Sequence, residues 1–227
     1  MKATLAILSL LFTCGLTTHG GTIVGTVRAE GKEGTGGGSG GGKYDSRKFK
    51  FVERVNYAEL TDFIVYIEGS STNAPAPPSK PIQVITQRDA TFRPHVLPVV
   101  VGTSVEWPNK DDIFHNVFSI SDAAQFDLGL YKDPELPKPV IFDKTGRVDV
   151  FCSIHSKMSC VVLVLENPWF ASVDAGGHYK IENVPPGKYT LKAWHERLPA
   201  ATQAIEVPDD GEIKADFVLG IKGLPKY

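Results

Sequence analysis

The sequence lacks a charge excess of either sign, and it is poor in cysteine. Its 227 residues carry 24 Lys and Arg against 26 Asp and Glu, for a formal net charge of −2. A general nucleic-acid binder needs a basic excess to displace counterions from phosphates, so no nucleic-acid role is expected. Three cysteines cannot build a disulfide framework. No Ser/His/Asp set, phosphate-binding loop or zinc-protease motif occurs in the chain. Past the first twenty residues no apolar stretch approaches the length of a bilayer span, which argues against an integral membrane protein. Long amphipathic helical patterns are missing too, and the best helical stretch is short, around residues 56–60.

What is present is apolar and turn-rich. Hydrophobic residues make up 42% of the chain, enough for a real core and too many for a disordered acidic chain. The 22 Gly and 16 Pro suit a β architecture with many turns. Residues 1–20 show a short positive start, an apolar run and small residues at the end, the three-part pattern of a secretory signal peptide. The mature chain is therefore expected in the periplasm or outside the cell, with two cysteines left, Cys152 and Cys160.

Residues 21–29 alternate as a strand, with Ile23, Gly25 and Val27 on one face. Eight of the thirteen residues in 31–43 are Gly, which marks a flexible linker. Alternation resumes over 48–55 and 61–69, and the Pro-rich segment 71–81 reads as a boundary. Residues 82–166 hold short strands at 82–86, 96–101, 104–108, 115–120, 139–142, 147–152 and 160–166, spaced as in a sandwich or barrel. The run 161–165 is apolar at every position, so both faces of that strand need cover. Turn-and-strand signals continue through 167–227.

The chemistry concentrates in Cys152-Ser-Ile-His155-Ser-Lys-Met158. A thiolate, an imidazole and a thioether follow one another at intervals of three. Soft sulfur combined with imidazole suits copper, and His115, opening a β run after the charged turn 109–112, can supply a second imidazole. Two His, one Cys and a weak axial Met form the blue-copper set. Two other readings compete. Cys152 with Cys160 could form a disulfide in an oxidising compartment, and Cys152 alone could be a small buried hydrophobe. Zinc would call for a second thiolate or more His.

Phe92-Arg-Pro-His-Val-Leu97, Val99 to Asn109, His115-Asn-Val117 and Cys152-x-x-His155-x-x-Met158 together resemble a cupredoxin domain of the plastocyanin and amicyanin type, over residues 82–166. The short loop from Cys152 to Met158 is most like that of amicyanin. The resemblance implies a Greek-key β-sandwich holding one type 1 copper, with His115, Cys152 and His155 as strong ligands and Met158 as the axial one. It also implies that Asn116 ties the two ligand-bearing segments together through hydrogen bonds. The flanks, 21–70 and 167–227, resemble the early and late strands of a smaller transthyretin-like, carboxypeptidase-regulatory-like β-sandwich, carried by Val173 to Tyr179 and Asn183 to Tyr189. The cupredoxin would then be inserted into a split sandwich, as in proteins called methylamine-utilisation-like.

The expected function is a periplasmic or secreted single-electron carrier rather than an enzyme, with a redox partner docking near His155. The alternatives are a copper-binding or delivery module without a redox partner, and an extracytoplasmic structural module on a cupredoxin scaffold. An oxidase or nitrite reductase would need more histidines, commonly in His-x-His pairs, and the six His here include none. Of the others, His95 is expected at a loop-to-strand surface, His178 in a turn and His195 at a solvated strand end.

Overall fold

Period-two alternation and β-branched residues make this an all-β chain. The structure, a computed structural model, describes residues 20–31, 56–69 and 82–220. The signal peptide (1–20, all but its last residue), nearly all of the Gly-rich segment 31–43, the alternating segment 48–55 and the Pro-rich segment up to 81 lie outside the described residues.

The strands in chain order are β1 (Gly21–Glu30), β2 (Ile64–Ile67), β3 (Ile82–Val84), β4 (Thr86–Arg88), β5 (Thr91–Arg93), β6 (Val96–Val100), β7 (Thr103–Glu106), β8 (His115–Ser121) and β9 (Ala124–Tyr131). Then follow β10 (Val140–Phe142), β11 (Gly146–Phe151), β12 (Ser159–Leu165), β13 (Phe170–Ser172), β14 (His178–Val184), β15 (Gly187–His195), β16 (Leu198–Val207), β17 (Glu212–Lys214) and β18 (Phe217–Gly220). The short helical stretch is a single 3-10 turn, Tyr57–Glu59, capped by the Asn56 side chain accepting from the Ala58 amide. Among the described residues no helix is long and apolar enough to cross a membrane.

A five-stranded sheet, β6-β12-β11-β8-β9, faces the smaller sheet β10-β7-β3, with the β4–β5 hairpin beside them. Between them lies one core, in which Val105, Trp107, Val117, Phe142, Val148 and Val162 are fully buried or nearly so. Burying each such side chain contributes about 1.5–3 kcal/mol. A second pair of sheets, β13-β2-β15-β16 and β14-β1-β17 with β18 also on β1, encloses a separate core around Ile23, Phe63, Val65, Ile181 and Leu191. Strands from before residue 70 therefore pair with strands from after residue 166. The apolar run in β12 is covered on both faces. Cys160, Val162 and Val164 enter the first core, while Val161, Leu163 and Leu165 meet Ile64, Tyr66, Phe170 and Trp194 of the other sheet pair.

Several elements depart from the sequence expectation. Residues 82–86 do not form one strand, because the fully buried Ile85 turns inward between β3 and β4. Residues 212–219 split into β17 and β18, both parallel to β1. At the break the Ala215 backbone crosses so near Gly25 that a Cβ there would clash with the Ala215 carbonyl oxygen, so the strand requires glycine at that point. Asp216 then accepts from the amide and hydroxyl of Thr26. Strands β5 and β9 have no counterpart among the strands expected over 82–166.

Candidate metal centre

His115 opens β8, where a bulge lies between Asn116 and Phe118. A bulge breaks the in–out alternation, and here His115, Asn116 and Val117 are buried in succession. The loop between β11 and β12 carries Cys152, His155 and Met158. It is closed by two backbone bonds: the Cys152 amide donates to the Met158 carbonyl at 3.1 Å, and the Met158 amide donates to the His155 carbonyl at 2.9 Å. The first bond fixes the loop ends against each other, and the second folds His155 back over them.

The donor atoms of His115, Cys152 and His155 lie within 4.8 Å of one another. His115 Nδ1 and His155 Nδ1 are 3.1 Å apart, and Cys152 Sγ is 3.6 Å from His155 Nδ1. Donors held about 2.0–2.3 Å from one ion at near-tetrahedral angles sit roughly 3.3–3.7 Å apart, close to the two separations given, and the three side chains form a group that could hold one metal ion. His115 is fully buried, Cys152 is 6% exposed and His155 is partly exposed. Met158 is 1% exposed and packs in the same core cluster as Cys152. Both Cys152 and Cys160 are free thiols, so the disulfide alternative is not what the fold adopts. Burial pushes the Cys160 thiol well up, and Asp149 adds to the effect.

Asp111 is the residue the sequence reading missed. His115 Nε2 donates to Asp111 Oδ2 at 2.8 Å, which fixes the tautomer and leaves Nδ1 free for a metal. The carboxylate also accepts from the Asp89 amide at 2.7 Å and the Ala90 amide at 2.9 Å. Those amides come from the tight turn between β4 and β5, where Asp89 and Ala90 both have positive φ (56° and 50°). Burial pushes the Asp111 carboxyl up, but the Ala90 amide, His115 and the Asp89 amide outweigh it and hold the group below its ordinary value. Asn109 ties the segment down. Its side chain accepts from the Asp111 amide and donates to the carbonyls of Ile113 and Tyr131. The only sequence signal for Asp111 was a carboxylate four residues before a candidate ligand.

Asn116 divides its role. Its backbone amide points at Cys152 Sγ, 3.5 Å away, and so links the two donor segments. Its side chain turns the other way and donates to Asp127 and to the Gly129 carbonyl on β9. Of the remaining histidines, His178 is not in a turn: it is the exposed first residue of β14, just after the turn, beside Asp174. His195 is not solvated. It is 4% exposed, with its ring 4.8 Å from that of Phe63, and its Nδ1 accepts from the Arg197 amide. Burial pushes that imidazole down, against the pull of Glu196 and Asp62.

Comparison with known proteins adds the following. The family described as polysaccharide lyase family 4, domain II, matches residues 168–215. No curated protein matches the chain. A copper-containing nitrite reductase from Thermus scotoductus is 25% identical with a TM-score of 0.36, over 44% of this chain, which spans only 25% of that one. A reduced amicyanin variant is 25% identical with a TM-score of 0.34, over 44% of this chain and 97% of its own. A purple cupredoxin from Nitrosopumilus maritimus is 24% identical with a TM-score of 0.32, over 37% and 97% of the two chains.

Proposed function

We propose that this protein is a periplasmic or secreted carrier of single electrons, holding one type 1 copper between His115, Cys152 and His155 with Met158 as the axial donor. The observation that carries the reading is the convergence of one thiol and two imidazoles within 4.8 Å at a loop closed by its own backbone bonds. Bound there, copper supplies one-electron exchange between Cu(I) and Cu(II). The side chains do the rest. Asp111 holds the His115 ring, the Asn116 amide faces the thiolate, and Cys152 and Met158 sit in the buried apolar core of this sheet pair. Burial of two of the three donors favours a carrier over a delivery module, whose metal must exchange easily. The cupredoxin-like unit, residues 82–166, is read as an insertion in a second β-sandwich built from 21–70 and 167–227, a reading that the pairing of β1 and β2 with later strands supports.

The partner is proposed to dock where His155 reaches the surface. Ile154 and Phe114, each next in sequence to a donor histidine, are 51% and 48% exposed, and Ile113, beside Phe114, is 48% exposed. The two donor imidazole rings are 4.8 Å apart, so these residues share one rim. A small apolar rim suits the brief encounters of redox proteins. Cu(II) added to the metal-free protein tests the function: an intense visible thiolate-to-copper band, saturating at one ion per chain and bleached by ascorbate, is the expected result. Copper uptake without that band removes the proposal. Ile154→Glu should leave the band intact and slow electron self-exchange about tenfold, through like-charge repulsion between two copies meeting at this rim. Line broadening in mixed Cu(I)/Cu(II) samples measures that rate, and an unchanged rate moves the docking face elsewhere.

A further inference from the structure

The turn between β15 and β16 is fastened to β11, five residues before Cys152, and through His95 to Ser159 at the exit of the donor loop. On the incoming side, Arg147 of β11 donates to the Glu196 carbonyl at 3.1 Å. The same guanidinium is held by Asp149 Oδ1 at 2.7–2.8 Å and sits 5.9 Å from the Trp194 ring centroid. Cys152 comes immediately after that strand. On the outgoing side, the Glu196 carboxylate is 3.0 Å from His95 Nε2, and His95 Nδ1 is 3.2 Å from the carbonyl of Ser159, the residue after Met158. The His95 carbonyl also accepts from the Val161 amide at 2.8 Å. His95 therefore grips the exit of the donor loop by ring and backbone together, and Glu196 orients the ring. Beneath these polar contacts Trp194 packs with Val96, Val161 and Leu163. No part of a free-standing copper sandwich supplies Glu196 or Trp194, which belong to the other pair of sheets.

We propose that this turn is a clasp on the donor loop, with Glu196 and His95 as positioning residues that set the Met158–Ser159 end of the site. The clasp rests on the electron-carrier reading only in its purpose; its mechanical effect belongs to the metal-free chain as well. Removing the carboxylate leaves His95 free to rotate, and the loop exit loses one of its two ties.

Amide hydrogen exchange of the metal-free protein tests this without reference to copper. Glu196→Ala and His95→Asn should each speed exchange at the Cys152, Met158 and Val161 amides about fivefold, the loss of roughly one net hydrogen bond. The double variant should add little to either single change, because the two residues act through one contact. Glu206→Gln, on the exposed side of β16, should change nothing at those amides. Circular dichroism and the unfolding midpoint verify that each variant is folded. In copper-loaded samples the Glu196→Ala change should shift the reduction potential while one ion still binds per chain. Exchange at the loop amides unchanged in folded Glu196→Ala and His95→Asn overturns the clasp. A parent protein that takes up no copper overturns the carrier reading instead, and leaves the exchange result standing.

Discussion

Cys152→Ser eliminates the intense visible band expected of the copper-loaded protein. The band arises from charge transfer out of a thiolate sulfur, and among the described residues the cysteine beside the two imidazoles is Cys152, 3.6 Å from His155 Nδ1. A serine oxygen is a harder donor that holds its proton at neutral pH, so the colour goes even if a weakly bound Cu(II) remains. Cys160 cannot substitute. It is 1% exposed in β12, paired across from Val150, and its thiol is pushed well up by burial. Cys160→Ala is the matched control: it should retain the band in full and cost about 1 kcal/mol of stability for the small cavity it leaves. Titration with Cu(II), followed in the visible and by denaturant unfolding, reads both variants. A band that survives in Cys152→Ser, or that disappears in a folded Cys160→Ala, overturns the assignment of the thiolate.

The sequence was most legible where a local rule was also the global one. β1 alternates, and its Ile23, Gly25 and Val27 face is the buried one because one side of that strand meets a core. β12 fails to alternate for the opposite reason, since it has a core on each side. The donor cluster was legible because Cys152, His155 and Met158 lie on one seven-residue loop, while His115 needed only a strand end aimed at it. Strand β9 was illegible. Its outward Gln125, Asp127 and Gly129 belong to no apolar pattern, yet Asp127 accepts from the Asn116 side chain and the Gly129 amide. His195 was misread because its cover, Phe63, lies far away in the chain on the strand-bordering segment before β2. The same holds for Glu196, whose partner His95 is 101 residues away. Long-range polar pairs leave no periodic trace, so no pattern in the chain could announce them.

Asp111→Ala should weaken copper binding about 10- to 100-fold, the usual cost of removing the carboxylate behind a metal-bound histidine. Three donors converge on this side chain, which is itself only 13% exposed: His115 Nε2 and the amides of Asp89 and Ala90. Without it, the His115 ring can carry its proton on Nδ1, the atom that faces His155, and the metal must then displace that proton. The two turn amides also lose their acceptor, at a cost of about 1–3 kcal/mol to the metal-free fold. Asp111→Asn separates these effects. Its single carbonyl oxygen can serve His115 and Ala90, but its NH2 then meets the Asp89 amide donor to donor. It should therefore keep most of the copper affinity and still lose stability. Competition against a chelator of known affinity measures the first quantity, and urea unfolding of the metal-free protein the second. If Asp111→Ala binds copper as tightly as the parent while its stability falls, the carboxylate serves the β4–β5 turn alone and His115 is oriented by the bulge in β8.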